Sequence, residues 1–131
     1  MSIERICTRN AKEVGNKMNI EIVQKKICER YGSEFFPPSD YDKVGISQNV
    51  KNGTRPLNGM RINPEHNTSG WYIWGGEILS KDPDFFLPLH YSHVGAWENL
   101  LVPYLGLAPG WRFLITETYE DVWFDGDNLL R

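Results

Sequence analysis

Four consecutive residues, Trp71, Tyr72, Ile73 and Trp74, limit the architecture of this chain more than any other stretch. Successive side chains of a strand point to opposite faces, so Trp71 and Ile73 share one face and Tyr72 and Trp74 the other. Both faces are apolar. Such a strand belongs inside a sheet, either covered twice or covered once with its second face left for a partner. The leading "TSG" and the trailing "GGE" bound it. No Lys or Arg lies between Gly70 and Glu77. Single-stranded nucleic acid needs cations beside its stacking rings, so the rings read as core and not as a base platform. A sugar needs no such charge, and a sugar-stacking role stays open.

The rest of the chain supplies partners for that strand. From Val44 onward the sequence breaks into short extended pieces, "VGIS", "KNGT", "NGMRIN" and "NPEHNTSG", followed later by "WRFLIT" and "DVWF". Asn52-Gly53 reads as a tight turn, and Asn58-Gly59 as a bend or bulge in the next strand. Before this region the spacing is helical. Ile3, Cys7, Ala11, Val14 and Met18 line one helix, and Ile20, Val23, Ile27 and Tyr31 a second, with Asn19 as its N-cap and Gly32 as its C-cap. Pro37 and Pro38 end the helical pattern, and Phe35 and Phe36 are expected to pin the linker to the core. One more short helix is expected from near Ser92, carrying Val94, Trp97, Leu100 and Leu101 and closed by Pro103. The expected fold is α+β: an antiparallel sheet with N-terminal helices and one further short helix packed on it. With 131 residues the chain reads as a single domain, with a helical segment over 1–32 and a sheet region over 44–124.

Charge narrows the partner classes. The formal charge is −3 and the basic residues are scattered, which disfavours nucleic acid. Glu21 and Glu29 offset Lys25, Lys26 and Arg30 in the second helix, so the helix pair reads as a hairpin and not as a DNA-reading motif. No apolar run has a membrane span's length, and "MSIERICTRNAKEV" has charges where a signal peptide is apolar, so a cytoplasmic location is expected. Cys7 and Cys28 lack the spacing of a zinc or redox motif and read as small buried hydrophobes.

Candidate chemistry is sparse. His90 and His93 are spaced for one metal on a helical turn, with Asp82, Asp84 or His66 as a third ligand, but the pattern is incomplete. Glu77 with Asp82 and Asp84 would give a carboxylate pair for acid and base work. A small ligand-binding protein or hydrolytic enzyme built on Glu77, Asp82, Asp84, His90 and His93 is thus one reading. Ser47 and Ser69 lack a nucleophile elbow, the glycines form no phosphate loop, and "DGD" at Asp125 to Asp127 is too near the end for a calcium loop. No cofactor, metal or catalytic residue is assigned. The segment "ETYEDVWFDGD" concentrates Glu117, Glu120, Asp121, Asp125 and Asp127 without a basic residue, beside Tyr119 and Trp123. Charge that steers an encounter, mixed with aromatic area that supplies affinity, is the composition of a recognition patch. Glu117, Tyr119, Glu120, Asp121 and Asp125 are its expected contact residues.

The order of these pieces also carries a resemblance. "VGIS", a turn, "NPEHNTSGW", "YIWGGE", an acidic segment, "VPYLGLAPGWRFLI" and a closing "DVWF" resemble the immunity protein 33 family of bacterial polymorphic toxin systems, formerly a domain of unknown function. The likeness spans about Val44 to Phe124, and "SGWYIWGGE" and "PYLGLAPGW" are its most specific parts. It implies a non-enzymatic cytoplasmic binder that neutralises a cognate toxin by occlusion, with neither cofactor nor catalysis. A scaffold or regulatory interaction module with another partner is the plainer alternative.

Overall fold

The computed structural model of this chain describes residues 8–130, with side chains from residue 19 onward. Helix α1 (Thr8–Tyr31) is followed by strand β1 (Lys43–Ser47), the single-turn helix α2 (Gln48–Lys51), strands β2 (Leu57–Arg61), β3 (Thr68–Gly75) and β4 (Phe86–His90), the single-turn helix α3 (Val94–Trp97), and strands β5 (Trp111–Ile115) and β6 (Glu120–Phe124). Short 3-10 turns cover Tyr91–His93, Asn99–Tyr104 and Gly126–Leu130. The six strands form one sheet in the order β4-β1-β3-β2-β5-β6. Every neighbouring pair is antiparallel except β1 with β3. The α+β expectation stands, and β3 is the interior strand that its apolar faces required.

The Trp71 and Ile73 face carries the core. Register puts Arg61 opposite Trp71, Gly59 opposite Ile73 and Phe113, and Val122 opposite Phe113, so all of these share that face. Val44, Ile46, Leu57, Ile73, Leu101, Leu105, Leu107 and Ile115 there are fully buried. Helix α1 and the 3-10 segment Asn99–Tyr104 cover them. The Trp71 indole donates to Leu105 O at 3.0 Å, the Cys28 thiol to Gly106 O at 3.4 Å, and the Gln24 amide to Val102 O at 2.9 Å and the Tyr91 hydroxyl at 2.8 Å. Cys28 is the small buried residue expected, while Cys7 lies outside the described residues.

Several local expectations are corrected. The two N-terminal helices are one: α1 runs through Asn19, which caps nothing, because no proline interrupts it and the roughly 0.5–1 kcal/mol cost of an Asn or Gly is small against packing. Ile3 lies outside the described residues. The buried stripe is Gln24, Ile27 and Cys28, with Tyr31 partly buried beside it, while Ile20 (37% exposed) and Val23 (40%) are exposed. A polar residue anchors the helix because its amide has two partners, which periodicity does not reveal. Gly32 does end the helix, at φ 84°, where its N–H and that of Ser33 both reach Cys28 O.

Gly59 bends nothing. It lies flat in β2 because the Phe113 ring packs onto it, and a Cβ there would come within 2.2 Å of that ring. "KNGT" is a helical turn and its exit, not a strand. The expected helix from Ser92 to Pro103 is instead a 3-10 turn, α3 and a second 3-10 segment that contains Pro103. Proline lacks the N–H an α-helix interior needs, and a short 3-10 run tolerates it. Strand β4, "FLPLH", was not among the expected strands; it contains Pro88, which it accommodates because β4 is an edge, where proline is allowed. Phe35 packs on the core and bridges to Leu107, whereas Phe36 stays 44% exposed.

Candidate functional site

The acidic C-terminal segment folds into the β5–β6 hairpin and its exit. Thr116 N–H bonds Tyr119 O at 2.9 Å, leaving Glu117 and Thr118 as the two loop residues, and Thr118 N–H bonds the Thr116 hydroxyl at 3.2 Å. The structure gives each predicted contact residue a different situation. Glu120 points to the helix-covered face, opposite Ile115. Its Oε1 accepts from the Tyr104 hydroxyl at 2.5 Å, and its Oε2 accepts from the Tyr31 hydroxyl and from Arg30 Nη1 at 2.7 Å. Burial opposes its charge, but the hydrogen bonds from Tyr104, Tyr31 and Arg30 outweigh that and hold its carboxyl below the usual range. Burial and the same carboxylate push both tyrosine hydroxyls up.

Glu117 is gripped from the side. Arg55 Nε and Nη2 reach its two oxygens at 3.0 and 2.6 Å, a bidentate pair, while Arg55 Nη1 meets Glu98 at 2.9 Å. That fork holds the Glu117 carboxyl down at about 2. Asp125 pairs with Arg112 at 3.4 Å and accepts the Asp127 N–H at 3.1 Å. Tyr119 (55% exposed) and Asp121 face solvent, and Asp121 has no side-chain partner among the described residues. Of the five, Tyr119 and Asp121 are available to a partner, and the other three brace the hairpin. Of the residues that do the bracing, Arg112 belongs to β5 itself, while Arg30, Tyr31, Arg55 and Tyr104 had no local signal, since they come from three other parts of the chain.

The second face of the sheet has a continuous row, Pro88, Gly45, Tyr72, Met60, Arg112 and Trp123, set by direct pairing across all six strands. Met60 and Trp74 on this face are buried yet stand apart from the main core. Tyr72 and Phe86 meet edge to face at 5.1 Å between centroids, Trp74 and Phe86 at 6.2 Å, and the Arg112 guanidinium lies 5.4 Å from the Trp123 ring. Tyr72, Leu114 and Trp123 stay half-buried. On this one face of β3, Trp74 is thus covered while Tyr72 is partly open.

The carboxylates and histidines of the alternative reading do not converge. Glu77, Asp82 and Asp84 are exposed in the loop after β3, where Asp82 accepts the Asp84 N–H at 2.9 Å. His90 and His93 lie 6.0 Å apart between ring centroids and line a cavity of about 340 Å³ with Lys43, Pro88 and Leu89, apart from those acids. His66 is exposed in the loop before β3. Among the described residues no group of three His, Cys, Asp or Glu side chains is placed to hold a metal. A larger cleft of about 440 Å³ runs between α1 and the linker, lined by Gln24, Phe35, Pro38, Tyr91, Asn99 and Val102.

The sequence profile of the Imm33-like domain matches residues 23–125. The chain belongs to this family. The Imm33-like domain begins well before Val44: it takes in the anchored half of α1, including Arg30 and Tyr31, and closes at Asp125. The three groups that hold Glu120 all fall inside it. No curated protein and no solved structure matches the chain. In this Imm33-like domain no helix among the described residues is long and apolar enough to cross a membrane.

Proposed function

We propose that this Imm33-like protein binds a cognate protein toxin and neutralises it by covering the toxin's working surface, without catalysis of its own. The observation that carries this reading is the family match over most of the chain. The hairpin end of the sheet supports it as the contact region. Glu117, Tyr119, Glu120, Asp121 and Asp125 lie together there, with Asp121 and Tyr119 free to touch a partner and the ion pairs of the other three holding the surface in one shape. A preformed surface loses little entropy on binding. The chain's charge of −3 and the acids of this end favour a toxin whose own surface is cationic, with long-range attraction speeding the encounter.

The test is co-expression with a candidate toxin domain taken from a reading frame adjoining this chain's gene. Survival of cells that make both, together with a stable complex on size exclusion, is the expected result. A toxin that kills equally in the presence of this chain, and shares no complex with it, refutes the reading.

A further inference from the structure

The hairpin register determines which backbone groups of β6 face outward. Thr116 N–H bonds Tyr119 O and Asp125 N–H bonds Gly110 O, so both ends of the β5–β6 ladder are hydrogen-bonded pairs. Alternation along an antiparallel ladder makes Leu114 with Asp121, and Arg112 with Trp123, the bonded pairs between them. The N–H and C=O groups of Glu120, Val122 and Phe124 consequently turn to the outer edge. There β6 has no neighbouring strand among the described residues, and none of them hydrogen-bonds those groups.

The opposite edge of the sheet is built differently. Tyr91 N–H bonds Asp42 O at 2.8 Å, and the same alternation leaves Phe86, Pro88 and His90 facing outward on β4. Pro88 sits at the middle of that edge and has no N–H to offer. Proline on an edge strand discourages pairing with other chains. One edge of this sheet is thus interrupted, and the other presents uninterrupted alternate donors and acceptors.

We propose that the outer edge of β6 is a docking site for an extended segment of the partner, which joins the sheet as a seventh strand. This deepens the toxin-binding reading and rests on it for the partner's identity. Side chains flanking the edge define the segment's chemistry. Asp121 and Trp123 lie on the Tyr72 face, and Phe124, 53% exposed, on the other. A segment with a basic residue beside Asp121 and apolar residues beside Trp123 and Phe124 matches them, since cross-strand pairs of these types are favourable. A second copy of this chain is a poorer occupant, because its own acids and its charge of −3 would face the same acids.

The experiment needs no toxin. Amide exchange of the full isotope-labelled chain is followed by NMR with a synthetic peptide of roughly ten alternating Lys and Val residues at millimolar concentration, and with the matching Glu and Val peptide. The Lys peptide is expected to slow exchange at Glu120, Val122 and Phe124 about tenfold while Asp121 and Trp123, already bonded, change little. The Glu peptide should leave all five as they were. Phe124→Pro removes one outward N–H without touching the ladder and should abolish the protection, whereas Phe124→Leu keeps it. Unchanged exchange at the three outward amides with the Lys peptide overturns the proposal. Protection that grows with protein concentration alone also overturns it and gives the edge to a second copy. If the edge amides respond but the neighbouring toxin is not bound, the toxin reading fails and the docking edge stands.

Discussion

Tyr104 donates to Oε1 of Glu120 at 2.5 Å, on the carboxylate whose other oxygen is held by Tyr31 from 89 residues away. These bonds tie the end of α1, the 3-10 segment before β5 and the first residue of β6 to one carboxylate. Charged hydrogen bonds in a half-buried place are worth more than exposed ones. Tyr104→Phe and Tyr31→Phe should each lower stability by about 1–2 kcal/mol in urea unfolding. The double variant should lose less than the sum, since both donors act on one group.

The acids of the hairpin set the response to pH. Glu117 and Glu120 have carboxyls held below their unfolded values, so their contribution is present above the ordinary carboxylate range and is lost as pH falls through the folded values. For Glu117 that window runs from about 4.5 down to about 2. Thermal unfolding midpoints should drop across this range, and Glu117→Gln should flatten the part of the drop that Arg55 causes. A midpoint equally pH-dependent in that variant would contradict the assignment.

Gly59 and Phe113 are matched. A methyl group at residue 59 would stand 2.2 Å from the Phe113 ring, so Gly59→Ala should cost roughly 2–3 kcal/mol through forced repacking. Phe113→Leu, which trims the ring, should be costly alone but should recover part of the Gly59→Ala loss in the double variant, read from denaturant midpoints.

Arg61 is a buried cation with no carboxylate in hydrogen-bond reach among the described residues. Its guanidinium donates to Ser69 O at 2.8 Å, Phe36 O at 2.5 Å and Leu107 O at 2.6 Å, and lies 5.5 Å from the Trp71 ring. Burial brings it down to about 10, still charged at neutral pH. Arg61→Met would strand three carbonyls and should cost roughly 3 kcal/mol or more. Arg61→Lys should recover little, since a point charge does not reproduce the fork.

Asp121 is the free acid of the proposed contact surface. Asp121→Lys should slow association with the cognate toxin about tenfold at low salt, with a smaller change in dissociation, and added salt should shrink the difference. Surface plasmon resonance across ionic strengths measures both. Folding should be unaffected, because Asp121 holds no side chain among the described residues.

Local chemistry was legible in the chain itself. "WYIW" between glycines announced an interior strand, Gly32 a helix end, and the run from Val44 a sheet, because alternation and backbone freedom act over a few residues. The resemblance also lay in the sequence, as motifs in order. What tertiary structure alone decided depends on register and distance. Glu120 and Asp121 are neighbours of the same type, yet pairing turns one toward two tyrosines and an arginine and leaves the other in water. Pro88 makes a strand only because β4 ended at the rim of the sheet, and Arg61 enters the core only because three carbonyls from separate segments meet there. Such outcomes are set by contacts between distant residues, and no window of neighbouring positions contains them.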